Sequence, residues 1–182
     1  MPGRPQRDGT VARCRSTSGD LQQTVAKSYP LGGRYRRTLL AAIAFGAAAG
    51  ALLDVVVLHQ ILQWHHLLSA RRSADTLEGL RWNVRWDGAF ELAALAVLVL
   101  AAGVLWRVRD AGRAPAVGSL VLAGWGLFNV VDELLFHLAL GGHHIRGESR
   151  GSPADWVFFG GGLTLLAVGV YRARRAAAAV DP

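Results

Sequence analysis

Four long apolar runs constrain this chain more than any other feature. They lie at about 38–64, 88–106, 116–140 and 155–172, and within them the stretches 38–53, 92–106 and 156–171 contain no charged residue. An α-helix rises ~1.5 Å per residue, so crossing a hydrocarbon core of ~30 Å takes roughly 20 residues, and all four runs are long enough. A chain of 182 residues with 52% apolar and 18% charged side chains also departs from ordinary globular composition, where about 25% is charged. These features set aside a secreted disulfide scaffold, a coiled coil and a disordered chain. The predicted fold is an all-α membrane protein, a bundle of four transmembrane helices within residues 38–172. Ala and Gly crowd the runs, as at Gly46–Ala51, Gly124, Gly126 and Gly160–Gly162, and small residues allow helices to approach closely in lipid.

The net charge of +7 is a topology signal in this context. Residues 1–37 form a basic, period-free tail read as disordered, and residues 173–182 form a short C-terminal tail. Eight Lys and Arg lie in the first tail, three in the connector after the second run, and three after the fourth. The other two connectors hold only six. The positive-inside rule then places both termini in the cytoplasm of a multi-pass plasma-membrane protein. No zinc-finger spacing, basic helix face or RNA-binding motif accompanies the charge, so a nucleic-acid partner is not expected. Cys14 is the sole cysteine and Met1 the sole methionine, which removes intrachain disulfides, thiolate clusters and thioether ligands for Cu(I) in the membrane part.

All six histidines fall at the predicted outer ends of helices one and three. Asp54 is followed by His59 and then His65-His66, and Asp132 by His137 and then His143-His144, at identical spacing. After each set come a connector, an aspartate near the start of the next helix (Asp87, Asp155), and a phenylalanine three residues on (Phe90, Phe158). This pattern predicts two helix hairpins repeated in parallel, related by a pseudo-two-fold along the membrane normal. On α-helical geometry His59 and His66 share a face about 10 Å apart, so no single helix closes a small site. The expectation is therefore a joint site, with His59 opposite His137 at depth and His65, His66, His143 and His144 nearer the surface. Gly141 and Gly142 would unwind the third helix before its His pair.

Asp54, Asp132, Asp87 and Glu91 complete the predicted cluster as ligands, charge compensation or orienting groups. Carboxylates within a span are costly and normally face a functional interior. Imidazole with carboxylate suits Zn²⁺, Fe²⁺ or Cu²⁺. A bis-histidine b-type haem held by His59 and His137 is the other cofactor reading. A metal-dependent membrane hydrolase or oxidoreductase and a metal-free proton or solute pathway stand beside simple metal binding, so whether the protein is an enzyme is open at this point.

The string His59-Gln60-Ile61-Leu62-Gln63-Trp64-His65-His66, with Trp86-Asp87-Gly88, Gly124-Trp125-Gly126, Asn129 and the closing His143-His144, resembles a family of bacterial four-helix membrane proteins known as a domain of unknown function. The similarity covers about residues 38–171. The family pattern would have His where Glu91 stands and Gly where Val55 and Glu133 stand. The resemblance implies the four-helix fold and the polar site. It also implies an association with respiratory-complex assembly, with the bilayer, assembly factors or further copies of the chain as partners.

Overall fold

The structure is a computed structural model, and it describes residues 31–108, 116–139 and 152–179. Four helices long and apolar enough to cross a membrane are present, and no strand occurs among the described residues. Helix α1 spans Leu31–Asp54 and continues without a break as a π-helical segment, π1, over Val55–Ile61. Helix α2 spans Leu77–Val108. Helix α3 spans Val117–Asp132 and likewise widens into a segment π2 over Glu133–Ala139. Helix α4 spans Pro153–Ala178.

The bundle is apolar outside and polar inside. The largest fully buried side chains are His59, His137, Glu133, Val55, Asn83, Asp87 and Asp155, of which Val55 alone is apolar. Large residues such as Leu92, Leu100, Trp106 and Val157 are exposed instead. In water this inversion would be ruinous; in lipid, exposed hydrocarbon carries no penalty and the polar groups belong in the interior.

Helix packing relies on missing side chains. A Cβ added at Gly46 of α1 would stand 1.9 Å from the carbonyl oxygen of Val121 in α3, and one at Gly124 of α3 would stand 2.1 Å from that of Ile43 in α1. The two backbones touch reciprocally, as small residues at membrane interfaces permit. Between α3 and α4 the close approaches are at Gly126, Gly162 and Gly169.

The ends of the helices explain how the site is held. Thr76 caps α2, its Oγ1 accepting from the Gly79 N–H at 3.1 Å. Asn83 donates to the carbonyls of Arg72 (2.7 Å) and Gly79 (3.0 Å), tying the first connector down to α2. Helix α4 opens with a capping box: Ser152 Oγ accepts from Asp155 N, and Asp155 Oδ2 accepts from the Ser152 N–H at 2.8 Å, with Pro153 in the first turn.

Candidate metal centre

The ends of α1 and α3 and the starts of α2 and α4 lie together at the end of the bundle away from Arg36, Arg37, Arg107 and Arg172. Both π segments start one residue after an aspartate, Asp54 or Asp132, and carry a histidine at their fifth position, His59 or His137. A π-helix hydrogen-bonds i to i+5 and turns less per residue, so residues five apart come nearer to one face than in an α-helix, which separates them by about 140°. The aspartate and histidine of each helix therefore meet. His59 Nε2 lies 3.6 Å from Asp54 Oδ2, and His137 Nε2 lies 3.1 Å from Asp132 Oδ2.

The chain leaves π1 through Gln63, whose φ of 49° is left-handed. Two backbone bonds close the segment, Leu62 N–H to Val57 O and Trp64 N–H to Leu58 O, both 2.9 Å. The first is the last π-type bond, and the second, beyond the left-handed Gln63, is the six-to-one bond of a Schellman turn widened by one residue. It folds His65 back over His59, with ring centroids 4.5 Å apart and edge-on. His65 also reaches the His137 ring at 5.7 Å and so adjoins both histidines.

Asp87, buried on the first turns of α2, holds two imidazoles at once. Its Oδ1 lies 3.0 Å from His59 Nδ1 and its Oδ2 2.7 Å from His66 Nδ1, and Oδ1 also accepts the Leu67 N–H at 2.9 Å. An ionised carboxylate only accepts, so with Asp87 ionised both imidazoles would present Nδ1–H to it. That tautomer would place the His59 lone pair on Nε2, the nitrogen near Asp54. Around His137 the arrangement is fuller in oxygen. Its Nδ1 lies 3.1 Å from Glu133 Oε2 and 3.8 Å from Asp155 Oδ1, and the Phe158 ring stacks on it at 6.0 Å. The capping box fixes Asp155 Oδ2 on Ser152, which leaves Oδ1 for the histidine.

Among the described residues, two groups of three side chains have ligand atoms within 4.8 Å of one another: Asp54, His59 and His65, and Glu133, His137 and Asp155. This corrects the expectation that neither hairpin closes a site alone. Each group is built within one hairpin: π winding and the turn at Gln63 bring Asp54 and His65 to His59, while Glu133 lies four residues before His137 and Asp155 comes from the start of α4. It also corrects the 10 Å spacing of His59 and His66, whose rings are 6.3 Å apart because His66 lies beyond the helix. Asp87 and Asp132 stand behind the histidines of these groups. Glu91 lies apart from them, hydrogen-bonded by Gln60 on the exposed side of α2. His143, His144, Gly141 and Gly142 fall outside the described residues. Glu133 and Asp155 were not among the predicted site residues. The signals for them were the i, i+4 spacing of Glu133 and His137, and the match of Asp155–Phe158 to Asp87–Phe90.

Fold and site together define a four-span membrane protein with a buried histidine–carboxylate centre. The chain matches a family described as "Predicted membrane protein (DUF2243)" over residues 41–176, and it belongs to that family. No curated protein and no solved structure matches it.

Proposed function

We propose that this protein binds a transition-metal ion, Zn²⁺, Fe²⁺ or Cu²⁺, in the histidine–carboxylate centre on the extracytoplasmic side of the membrane. The observation that carries this reading is the hold of Asp87 on His59 Nδ1. A metal-ligating histidine characteristically donates its other N–H to a carboxylate, which sets the tautomer and aims the ring. The 3.6 Å from His59 Nε2 to Asp54 Oδ2 is long for a hydrogen bond. It is close to the roughly 3.4 Å between neighbouring ligands of a tetrahedral ion with bonds of about 2.0–2.1 Å. When bound, such an ion would neutralise buried carboxylates and supply Lewis acidity. Either His59, His65 and Asp54 or His137, Glu133 and Asp155 would hold it.

The matching offsets of the two π segments support a duplicated hairpin, and the arginines at the opposite end support an extracytoplasmic site. The family resemblance adds metal handling during respiratory-complex assembly as the setting. The bis-histidine haem reading fares worse, because both nitrogens of His59 and of His137 already face carboxylates where a porphyrin needs an apolar slot.

The test is elemental analysis and a visible spectrum of the full chain purified in mild detergent. Stoichiometric zinc, iron or copper, lost in the His59→Ala/His137→Ala double variant, is the expected result. A Soret band, or no metal even after reconstitution, would overturn the reading.

A further inference from the structure

We propose that the centre holds two divalent ions side by side in ligand sets of unlike hardness. The nitrogen-rich set is His59, His65 and Asp54, and the oxygen-rich set is Glu133, Asp155 and His137. This rests on the metal-binding reading above and goes beyond it in number and kind of ion.

Geometry is the first argument. The six ligands fall into two groups of three with no member in common. Ligands of one ion at about 2.0–2.2 Å stand within roughly 4.4 Å of each other, which each group approaches separately. The groups adjoin where His65 meets His137, ring centroids 5.7 Å apart.

Charge is the second. Asp54, Asp87, Asp132, Glu133 and Asp155 are all buried, and each lies against a histidine. A low-dielectric interior penalises carboxylate charge that neutral imidazoles do not offset. Were all five ionised, one divalent ion would offset two of the charges and two ions four.

The third argument is an exchange of roles between corresponding residues. In the first set the helix aspartate, Asp54, belongs to the ligand group, and Asp87 of the following helix orients His59 through Nδ1. In the second set Asp155 of the following helix belongs to the ligand group, and the helix aspartate, Asp132, sits on His137 Nε2. His59 thus offers Nε2 to its ion and His137 offers Nδ1. Glu133 stands where the first hairpin has Val55, which gives the second set its extra carboxylate. Two imidazoles and one carboxylate suit Zn²⁺ or Cu²⁺, while two carboxylates and one imidazole suit harder Mn²⁺ or Fe²⁺.

The experiment uses the full chain in detergent, stripped with chelator and reloaded with Zn²⁺ and Mn²⁺ together, then desalted. Expected are two equivalents of metal per chain, one of each, with the manganese seen by electron paramagnetic resonance. Glu133→Gln is expected to lose the manganese and keep the zinc, and His65→Ala to lose the zinc and keep the manganese. The wild-type count decides even if a variant fails to fold. One equivalent in total overturns the two-ion proposal and leaves metal binding standing. Two equivalents of a single metal overturn the unlike sets. No metal at all overturns the metal reading itself.

Discussion

The carboxylate of Asp87 stands 3.0 Å from Nδ1 of His59 across 28 residues of sequence, and its second oxygen takes His66 in the same way. Asn has one acceptor oxygen and would turn an N–H₂ toward one of the two rings. Asp87→Asn is therefore expected to weaken zinc binding by about 10–100-fold while leaving the stoichiometry unchanged. Competition against a chromophoric chelator measures this, and unaltered affinity would remove Asp87 from the orienting role.

Gln63 holds the left-handed backbone that returns His65 to the site. An L-residue there carries roughly 1–2 kcal/mol of strain that glycine escapes. Gln63→Gly is expected to raise stability by about 1 kcal/mol in thermal unfolding, with metal affinity retained. Gln63→Val, β-branched and ill suited to that region, is expected to shift His65 and lower affinity. Equal behaviour of the two variants would contradict the role given to this turn.

Contact between α1 and α3 predicts a sharp contrast among glycines. Gly124→Val would drive a Cβ into the Ile43 carbonyl, a backbone atom that cannot step aside, with an expected loss of about 3 kcal/mol or more. At Gly103 nothing lies within 4 Å of an added Cβ, and Gly103→Ala is expected to be neutral or to gain about 0.5–1 kcal/mol. Melting followed by circular dichroism in detergent distinguishes them.

The solitary cysteine makes topology easy to read. If both termini are cytoplasmic, as the arginine distribution predicts, a membrane-impermeant thiol reagent is expected to leave Cys14 unlabelled in intact cells and to label it after permeabilisation. In a Cys14→Ser background, Ser73→Cys on the connector between π1 and α2 is expected to label from outside. The reverse pattern would place the histidine centre at the cytoplasmic face.

Much of this molecule is legible before any coordinates. Long uncharged runs identify the four spans because lipid permits so few alternatives, and six histidines in two matched registers point to one polar end. The local path is harder to read. The spacing of Asp54 and His59 means opposite faces in an α-helix and neighbours in a π-helix, and nothing in the intervening Val-Val-Val-Leu announces the change. Asp155 reads as a helix start, which it is, yet the capping box at Ser152 also steadies it for His137. Glu91 shares a helical face with Asp87 at i+4, but one turn deeper that face meets Gln60 rather than an imidazole. Glu133 is four residues before His137, a spacing that shares a face even on an α-helix. The wider winding of π2 adds Asp132 at the other nitrogen of the same ring.

The turn carrying His65 has its outer surface in Ile61, Leu62 and Trp64, all exposed and apolar. Aromatic and aliphatic groups at such a position settle at the headgroup boundary. At that boundary lipid would grip this segment from outside, while the His59 and His137 rings lie against His65 from within. A membrane too thin or too thick for the span pulls on Trp64, and its neighbour is a side chain of the centre. The thickness of the bilayer would thereby become a variable of the site, and the same protein in two membranes need not hold the proposed ion equally well.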